Sequence, residues 1–239
     1  MTIAYAQWAD TYELFEGETA QDTWRQGIAA DLAKLAGGPA TVLDLGAGTG
    51  VGARVLTELL PALQVTSLDR SPEMLDRGKV PKERQLVGDM ADFRTDSVYD
   101  FVVSGFDALN YLPPQALASC LSCVADALRP GGHLIFDYSS RKVLSSDWRA
   151  LAYEQEKDGY RLHRRHHYEA AFDRSRTVLT LRRDGQTLWR ETHVQYVMDP
   201  FTLEEIARGH GLQTLSVRNI DSDTYSPQHT THVYVLRKD

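Results

Sequence analysis

Residues 41–50 of this chain read TVLDLGAGTG. The apolar run over residues 41–45 is typical of a strand that is buried on both faces of a parallel sheet. Gly46, Gly48 and Gly50 follow at every second position, and glycine lets a ligand approach the backbone closely because it has no Cβ. A helical pattern comes next. The stretch therefore predicts a strand, a glycine-rich turn and a helix whose free N–H groups attract negative charge.

Short strand patterns and helical patterns alternate on both sides of this stretch. Residues 65–69 predict a second strand that ends on Asp69, and Ser71-Pro72-Glu73 begins a helix with a capping side chain and a proline at its first position. Further strands are predicted at residues 84–87, 101–104 and 133–136, and further helices at residues 19–35 and 114–128. This alternation is typical of an α/β fold with a parallel sheet.

The pattern changes near residue 150. Residues 151–198 show the alternation of antiparallel strands, with a hairpin turn at Asp184-Gly185. A helix at residues 202–210 and two strands, at 212–217 and 232–236, complete the chain. We therefore expect one α/β domain made of residues 1–150 and 199–239. An antiparallel β insertion, residues 151–198, precedes its last helix and covers the substrate.

The composition excludes several classes of protein. The 239 residues are 42% hydrophobic and 25% charged, near the globular average, which argues against a disordered or collagen-like chain. No apolar run approaches the roughly 20 residues of a membrane span, and residues 1–18 lack the pattern of a secretory signal, so we expect a cytoplasmic protein without membrane contact. Cys120 and Cys123 lie in a helical pattern without a second pair, so no metal site is predicted.

Asp69 is placed to bind the ribose of a nucleoside. It ends the second strand 21 residues after Gly48, where a carboxylate accepts hydrogen bonds from two ribose hydroxyls. The order strand, glycine turn, helix, strand and terminal acid therefore predicts a nucleoside-containing ligand. A dinucleotide fingerprint needs Gly or Ala at its sixth position, which is Val51 counted from Gly46 and Ala53 counted from Gly48. An NAD(P)-dependent oxidoreductase therefore stays open as an alternative.

Several motifs resemble one family. Residues 42–50, VLDLGAGTG, resemble motif I of the class I S-adenosylmethionine-dependent methyltransferases, and residues 88–90 and 128–136 are similar to later motifs of that family. Residues 5–13, YAQWADTYE, and 106–112, FDALNYL, resemble its small-molecule branch, which includes amino-sugar N-methyltransferases and relatives of glycine N-methyltransferase. Glu13 stands where that branch usually has Asp, and residues 151–198 resemble no segment that would identify a substrate.

The resemblance implies a fold and a cofactor. The fold is a Rossmann-like, seven-stranded, mostly parallel sheet with helices on both faces, and residues 1–150 and 199–239 would form the cofactor domain. The cofactor is S-adenosylmethionine, which leaves as S-adenosylhomocysteine. Asp44 would lie near its ammonium end, Asp69 would bind its ribose, and the other positions would meet its methionine, adenine or sulfonium parts. The implied set is Asp44, Gly46, Ala47, Gly48, Asp69, Arg70, Gly88, Asp89, Met90, Ser104 and Phe106.

The acceptor side has tyrosine and histidine candidates. Tyr5, Tyr12 and Tyr111 are candidates to donate to or cover the acceptor. We favour Tyr5 and Tyr12 over any histidine, because the family places the N-terminal segment over the cofactor. His163 and His167 are candidate catalytic bases, beside His166 and His193. The reaction we expect is in-line methyl transfer to nitrogen or oxygen of a small molecule. A neutral amine needs only to lose its own proton, whereas a hydroxyl needs a general base. A non-catalytic, cofactor-binding regulatory module is the alternative from another class, and the sequence leaves open whether the chain forms a homodimer.

The segment 161–183 is unusually basic. It holds seven Arg and three His against Glu169 and Asp173, and strand geometry puts His163 and His167 on one face. It can be a solvated sheet face, a pocket for an anionic substrate or a basic surface for nucleic acid. The net charge of −7 argues against nucleic acid. So does the sequence SGFD at residues 104–107, which stands where base-methylating enzymes have Asn-Pro-Pro-aromatic.

Overall fold

The computed structural model describes residues 5–239. The strands are β1 (Ala40–Leu45), β2 (Leu63–Asp69), β3 (Gln85–Val87), β4 (Tyr99–Ser104), β5 (Leu128–Ser139), β6 (Ala152–Lys157), β7 (Tyr160–Glu169), β8 (Arg174–Arg183), β9 (Gln186–Tyr196), β10 (Leu212–Asn219) and β11 (Thr231–Lys238). Seven of them form one sheet in the order β10-β11-β5-β4-β1-β2-β3. β1 to β5 are parallel, and β11 runs antiparallel to both neighbours. The predicted seven-stranded, mostly parallel sheet is confirmed.

The strand order reverses between β1 and β4, which pair directly through Val42 and Phe101. The chain leaves β1 toward one edge of the sheet and β4 toward the other, so a crevice opens beyond the carboxyl ends of these two strands. Open α/β sheets bind their ligands at such a point. The glycine-rich turn after β1 and the segment after β4 border this crevice.

The helices are α1 (Tyr12–Trp24), α2 (Ala30–Leu35), α3 (Val51–Leu59), α4 (Pro72–Arg77), α5 (Pro114–Ala127) and α6 (Pro200–Gly209). A π-helical turn, Arg25–Ala29, joins α1 to α2. The sequence predicts the start of the first helix at residue 19, seven positions too late. Tyr12 and Phe15 are buried against the antiparallel sheet, so tertiary packing stabilises the early turns that the local pattern does not indicate.

Apolar cores cover both faces of the seven-stranded sheet. Leu43 and Leu45 of β1 pack into the core that includes α5 and α6, whereas Val42 packs into the core that includes α1, α2 and α3. Because both faces are buried, β1 is apolar at four of its six positions, Ala40, Val42, Leu43 and Leu45.

Trp24 of α1 fills the space beside two glycines. A Cβ at Gly52, in α3, would lie 2.3 Å from the Trp24 ring, and a Cβ at Gly105, directly after β4, would lie 2.4 Å from it. The Trp24 side chain is buried in the core that holds α3. Both glycines are therefore required for close packing of α1 against the crevice.

β6 to β9 form a separate four-stranded antiparallel sheet. Asp184 and Gly185, with φ of 51° and 77°, form the predicted hairpin turn between β8 and β9. One face of the sheet is buried, carries Leu162, and packs over Trp8 in the segment that precedes α1. The boundaries of the insertion at residues 151 and 198 stay a prediction.

No helix within residues 5–239 is long and apolar enough to cross a membrane. In the same part of the chain, no group of three His, Cys, Asp or Glu side chains is arranged to hold a metal ion. Cys120 and Cys123 are buried free thiols in α5, and burial raises the pKa of Cys120 above its usual range.

Candidate functional site

A cleft lies at the carboxyl ends of the parallel strands. It collects most of the residues implied for the cofactor together with both predicted tyrosines. The residues that line it include Tyr5, Tyr12, Gly46, Gly48, Asp69, Arg70, Gly88, Asp89, Met90 and Phe106. The sequence motifs that follow β1, β2, β3 and β4 thus converge on one site.

A hydrogen bond joins the glycine-rich turn to Asp69. Gly46 and Gly48 have φ of 69° and 55°, in the left-handed region that only glycine adopts without strain. The Gly48 N–H donates to Asp69 Oδ2 at 2.8 Å, and the Ser71 N–H donates to Asp69 Oδ1 at 2.8 Å. Burial raises the pKa of the Asp69 carboxyl, while these hydrogen bonds oppose the rise. Each oxygen accepts one backbone bond, so it has a second acceptor site for a hydroxyl of a ribose.

Three of the implied residues lie behind the cleft rather than on its wall. Ser104 is fully buried and donates to the Leu45 carbonyl at 3.0 Å, which closes β4 onto β1. Ala47 is buried within the turn. Asp44 is fully buried as well, and neither of its carboxyl oxygens has a hydrogen-bond partner among residues 5–239.

Asp44 indicates what the site holds. Burial, followed by the charge of Asp69, raises the pKa of the Asp44 carboxyl well above its usual range. A buried carboxyl without a partner is costly unless a ligand supplies a cation or a donor. The ammonium group of S-adenosylmethionine is such a group, and because Asp44 does not line the cleft, the resemblance implies a contact through water. The left-handed glycines give the methionine part a surface free of side chains. The residues present therefore fit this cofactor.

A second cavity of about 480 Å³ adjoins the cleft, and this volume is in the range of small-molecule sites. Tyr5, Tyr12, Phe106 and Tyr111 line both spaces. The rest of the cavity wall comes from α1, from the segment after β4, and from the buried face of the antiparallel sheet. Its aromatic lining is Tyr5, Trp8, Tyr12, Phe15, Phe106, Tyr111, Trp148 and Tyr153.

Acidic side chains outnumber basic ones on the cavity wall. Glu16, Asp107 and Asp137 line it, and Arg164 is its one Lys or Arg side chain within the described part of the chain. Arg164 hydrogen-bonds to Glu16 and Gln155, so its charge is already compensated inside the protein. An anionic ligand would therefore meet carboxyl groups without a free cation.

The segment after β4 is strained where it meets the cavity. Phe106 and Asp107 have backbone φ angles of 57° and 52°, values that residues other than glycine rarely adopt. The Asp137 carboxylate holds both residues by accepting their backbone N–H groups at 2.9 and 2.6 Å. Burial raises the pKa of Asp107 to about 6 and that of Asp137 to about 7. Strain of this kind persists where the surroundings enforce it and is concentrated at functional sites.

His193 of β9 is the histidine nearest to the tyrosines. The Tyr5 hydroxyl lies 2.6 Å from the Tyr111 hydroxyl, which lies 3.0 Å from His193 Nδ1. His193 Nε2 lies 3.0 Å from Glu191 Oε2. Tyr111 is among the tyrosines expected at the acceptor, whereas Glu191 and Asp107 are absent from the predicted residues, because their role depends on contacts between segments far apart in the chain.

The structure does not bring His163 and His167 to the site. The alternation along β7 is as expected, but the buried face carries Arg164 and His166, and the two predicted histidines lie on the more exposed face. The choice of these two as bases is therefore corrected. His166 lines the cavity, and its Nδ1 lies 2.8 Å from Thr177 Oγ1. Most of the arginines in this basic segment are likewise on the outside or bonded to acids.

Comparison with known proteins agrees with this geometry. Residues 42–132 match the family described as "Methyltransferase domain". The chain is 28% identical over 205 residues to trans-aconitate 2-methyltransferase of Streptomyces avermitilis, which covers 78% of this chain and 72% of that protein. It is 29% identical over 136 residues to dTDP-3-amino-3,4,6-trideoxy-alpha-D-glucopyranose N,N-dimethyltransferase of Streptomyces venezuelae. This alignment covers 54% of this chain and 56% of that protein.

The fold matches a solved structure over almost its whole length. A S-adenosylmethionine-dependent methyltransferase from Clostridium acetobutylicum superposes with a TM-score of 0.82 at 20% identity, covering 99% of both chains. The fold, the cleft and the match of residues 42–132 together indicate an S-adenosylmethionine-dependent methyltransferase. The chain is thus an enzyme whose cofactor is S-adenosylmethionine, and this sets aside the alternative of an oxidoreductase.

The buried acids make the stability of the unliganded enzyme depend on pH. Burial raises the pKa of Asp44, Asp107 and Asp137, so these groups bind more protons in the folded state than in the unfolded state. These acids lower the free energy of unfolding as the pH rises through their folded-state pKa values, whereas His133, His166 and His232, whose pKa burial lowers, raise it as the pH increases toward about 6.5. Acids with a lowered pKa, such as Asp100, lose their contribution only below about pH 4. Above about pH 6.5 the histidine contribution is complete, so we expect the free energy of unfolding to fall as the pH rises through the folded-state pKa of Asp137, about 7.

Replacing Asp44 by asparagine should flatten this dependence. At a pH above the folded-state pKa of Asp44 the variant should be more stable than the wild type without ligand, because ionisation of this buried carboxyl destabilises the wild type. It should also bind S-adenosylhomocysteine more weakly. Urea denaturation across the pH range and calorimetry measure the two effects, with Asp96→Asn on the surface as the control. A steeper pH dependence in Asp44→Asn would contradict the assignment.

Proposed function

We propose that this enzyme transfers a methyl group to the nitrogen of a small-molecule amine held in the 480 Å³ cavity. The observation that carries the proposal is the charge of the cavity wall, where Asp107 and Asp137 have no basic partner among residues 5–239 and Arg164 is bonded to Glu16. An ammonium group gains from this wall, whereas a carboxylate would be repelled by it. Of the two curated relatives, the one named for an amino sugar therefore supplies the better analogy.

The chain's own residues would then have distinct tasks. When bound, S-adenosylmethionine supplies a methyl group that is already activated by its positively charged sulfur. Tyr5, Tyr12 and Phe106, which line both spaces, would exclude water from the boundary between them. Asp107 would hold the acceptor nitrogen, and orientation of this kind can contribute up to about 7–11 kcal/mol.

The roles of the cofactor residues belong to the same proposal. Asp69 would bind the ribose through the acceptor sites that Gly48 and Ser71 leave open. Arg70, Gly88, Asp89 and Met90 line the cleft on the side of the adenine that the resemblance implies. The antiparallel sheet would act as a lid on the acceptor, since its buried face forms one wall of the cavity.

Three acceptors of similar size test the proposal. The methyl glycoside of glucosamine carries an amine and hydroxyls, methyl glucoside carries hydroxyls only, and trans-aconitate carries carboxylates. Each is incubated with enzyme and S-adenosylmethionine, and S-adenosylhomocysteine and methylated product are measured by mass spectrometry. We expect N-methylation of the first compound and no turnover of the others. Methylation of trans-aconitate in preference to the amine would overturn the proposal.

Asp107→Asn should lower kcat/KM for the amine about 10- to 150-fold, because a hydrogen bond to a charged group contributes about 1.5–3 kcal/mol. The binding of S-adenosylhomocysteine should stay unchanged, since Asp107 lines the acceptor cavity and not the cofactor cleft. Asp96→Asn, an exposed carboxyl, is the matched control. If Asp107→Asn and Asp96→Asn turn over the amine equally well, Asp107 does not hold the acceptor.

A further inference from the structure

Four side chains form an unbroken series of hydrogen bonds that ends at the boundary between the cleft and the cavity. The series runs from the Tyr5 hydroxyl to the Tyr111 hydroxyl at 2.6 Å, to His193 Nδ1 at 3.0 Å, and from His193 Nε2 to Glu191 Oε2 at 3.0 Å. Tyr5 and Tyr111 line both spaces, whereas Glu191 and His193 are 6% and 4% exposed. His193 also lines the cavity, but Tyr111 and Glu191 occupy its two ring nitrogens, so the end of the series that is open to the acceptor is the Tyr5 hydroxyl.

The direction of each hydrogen bond follows from the buried end. Glu191 also accepts the backbone N–H groups of Tyr5 and Gln7, both at 2.8 Å. Burial raises the pKa of the Glu191 carboxyl, but the bonds from His193, Gln7 and Tyr5 outweigh it and the net direction is downward. An ionised carboxylate can only accept, so His193 Nε2 carries a proton, and the tautomer with its single proton at Nε2 has Nδ1 as an acceptor.

This tautomer determines the direction of the other two hydrogen bonds in the series. Tyr111 donates to His193 Nδ1, so the Tyr111 oxygen accepts the proton of Tyr5. The Tyr5 oxygen keeps its lone pairs and has already used its proton, which makes it an acceptor toward the boundary of the two spaces. A group that donates an N–H bond fits this position, as the ammonium of a protonated amine does.

We propose that Tyr5, Tyr111, His193 and Glu191 form a proton relay that deprotonates the acceptor amine. This inference rests on the proposed function. An N–H bond of the ammonium breaks and its proton binds the Tyr5 oxygen. The original Tyr5 proton passes to Tyr111, and the Tyr111 proton passes to His193 Nδ1. The step leaves a neutral amine with a lone pair and an imidazolium paired with the Glu191 carboxylate, so total charge is conserved.

The surroundings favour this path over a lasting tyrosinate. Burial, followed by neighbouring charges and hydroxyls, raises the pKa of both Tyr5 and Tyr111 well above the usual range. Each hydroxyl must therefore receive one proton as it gives up another. The other titratable groups that face the two rings are Tyr12, Glu16 and Asp107, and the acids among them add negative charge that disfavours a tyrosinate. The positive charge comes to rest on His193, where Glu191 compensates it.

Tyr111→Phe tests the relay because it breaks the series and keeps the ring. The probes are cyclohexylamine, which is protonated at neutral pH, and aniline, which is not. For cyclohexylamine we expect kcat to fall by about 100-fold, within the range of general-base contributions. For aniline we expect less than about a threefold change, because no proton has to be removed before transfer. The loss with cyclohexylamine should shrink as the pH is raised. Tyr160→Phe, on the lid and outside both spaces, is the matched control.

The outcomes separate the relay from the proposed function. An equal loss with both amines would overturn the relay, because Tyr111 would then be needed for structure alone. If the wild type methylates neither amine, the proposed function is at fault for this acceptor class. The relay is then decided by nitrogen NMR of the histidines, assigned with His193→Gln. We expect His193 in the neutral form protonated at Nε2, with its Nδ1 signal shifted in Tyr111→Phe. A His193 protonated at Nδ1 would overturn the relay.

Discussion

Replacing Asp69 by alanine is expected to weaken the binding of S-adenosylhomocysteine about 10- to 150-fold. The carboxylate would lose its charge-assisted hydrogen bonds to the ribose, which contribute about 1.5–3 kcal/mol. It would also release the Gly48 and Ser71 N–H groups that it holds at 2.8 Å, so the glycine turn would lose its tie to the start of α4. Calorimetric titration with S-adenosylhomocysteine measures the loss.

Asp76→Ala serves as the control for this variant. Asp76 belongs to α4, the helix that follows Asp69, and its carboxylate makes an exposed ion pair with Lys82. Its removal should therefore change the affinity for S-adenosylhomocysteine by less than about twofold. A dissociation constant of Asp69→Ala equal to that of the wild type would show that the ribose lies elsewhere.

Gly105→Ala should reduce the free energy of unfolding by about 1–3 kcal/mol, the usual cost of adding a carbon to a filled core. The new Cβ would lie 2.4 Å from Trp24, whose ring cannot turn aside because it is also in contact with Gly52. Urea denaturation measures the change. Gly38→Ala is the matched control, since a Cβ at that position meets no atom within 4 Å.

A double variant identifies the cause of the destabilisation. Trp24→Leu removes the ring that obstructs the added carbon, so Gly105→Ala should cost much less in the Trp24→Leu background than in the wild type. Equal costs in the two backgrounds would mean that Trp24 is not what requires a glycine at this position.

The cofactor half of the site was accessible from the sequence because its signals are local. All of these signals lie within residues 41–69: the apolar strand, the glycines at alternate positions and Asp69. In this order they predict the binding site of a nucleoside. The residues on the cleft wall follow from these motifs. Asp44 was only partly predictable. Its burial could be inferred from the apolar run, but its lack of a hydrogen-bond partner depends on the tertiary fold.

The acceptor half was less accessible because its signals are long-range. Alternation along β7 separates His163 and His167 from Arg164 and His166, but it does not indicate which face another element covers. That choice depends on Trp8 and Phe15 packing against Leu162 from a different part of the chain. The pairing of Glu191 with Tyr5 is likewise set by the tertiary fold, and no local pattern indicates it.

The contact between Glu191 and the Tyr5 backbone joins residues 186 positions apart in the sequence. Such a contact forms late, because the entropy of closing so long a loop must be offset by other contacts first. On the ribosome, residues 46–71 emerge early and can complete the glycine turn and its bond to Asp69. The N-terminal segment must wait for β9 to be synthesised and paired. A nascent chain would therefore form the bond between the glycine turn and Asp69 well before it forms the relay, and both the cleft and the relay would be completed only when the N-terminal segment is in place.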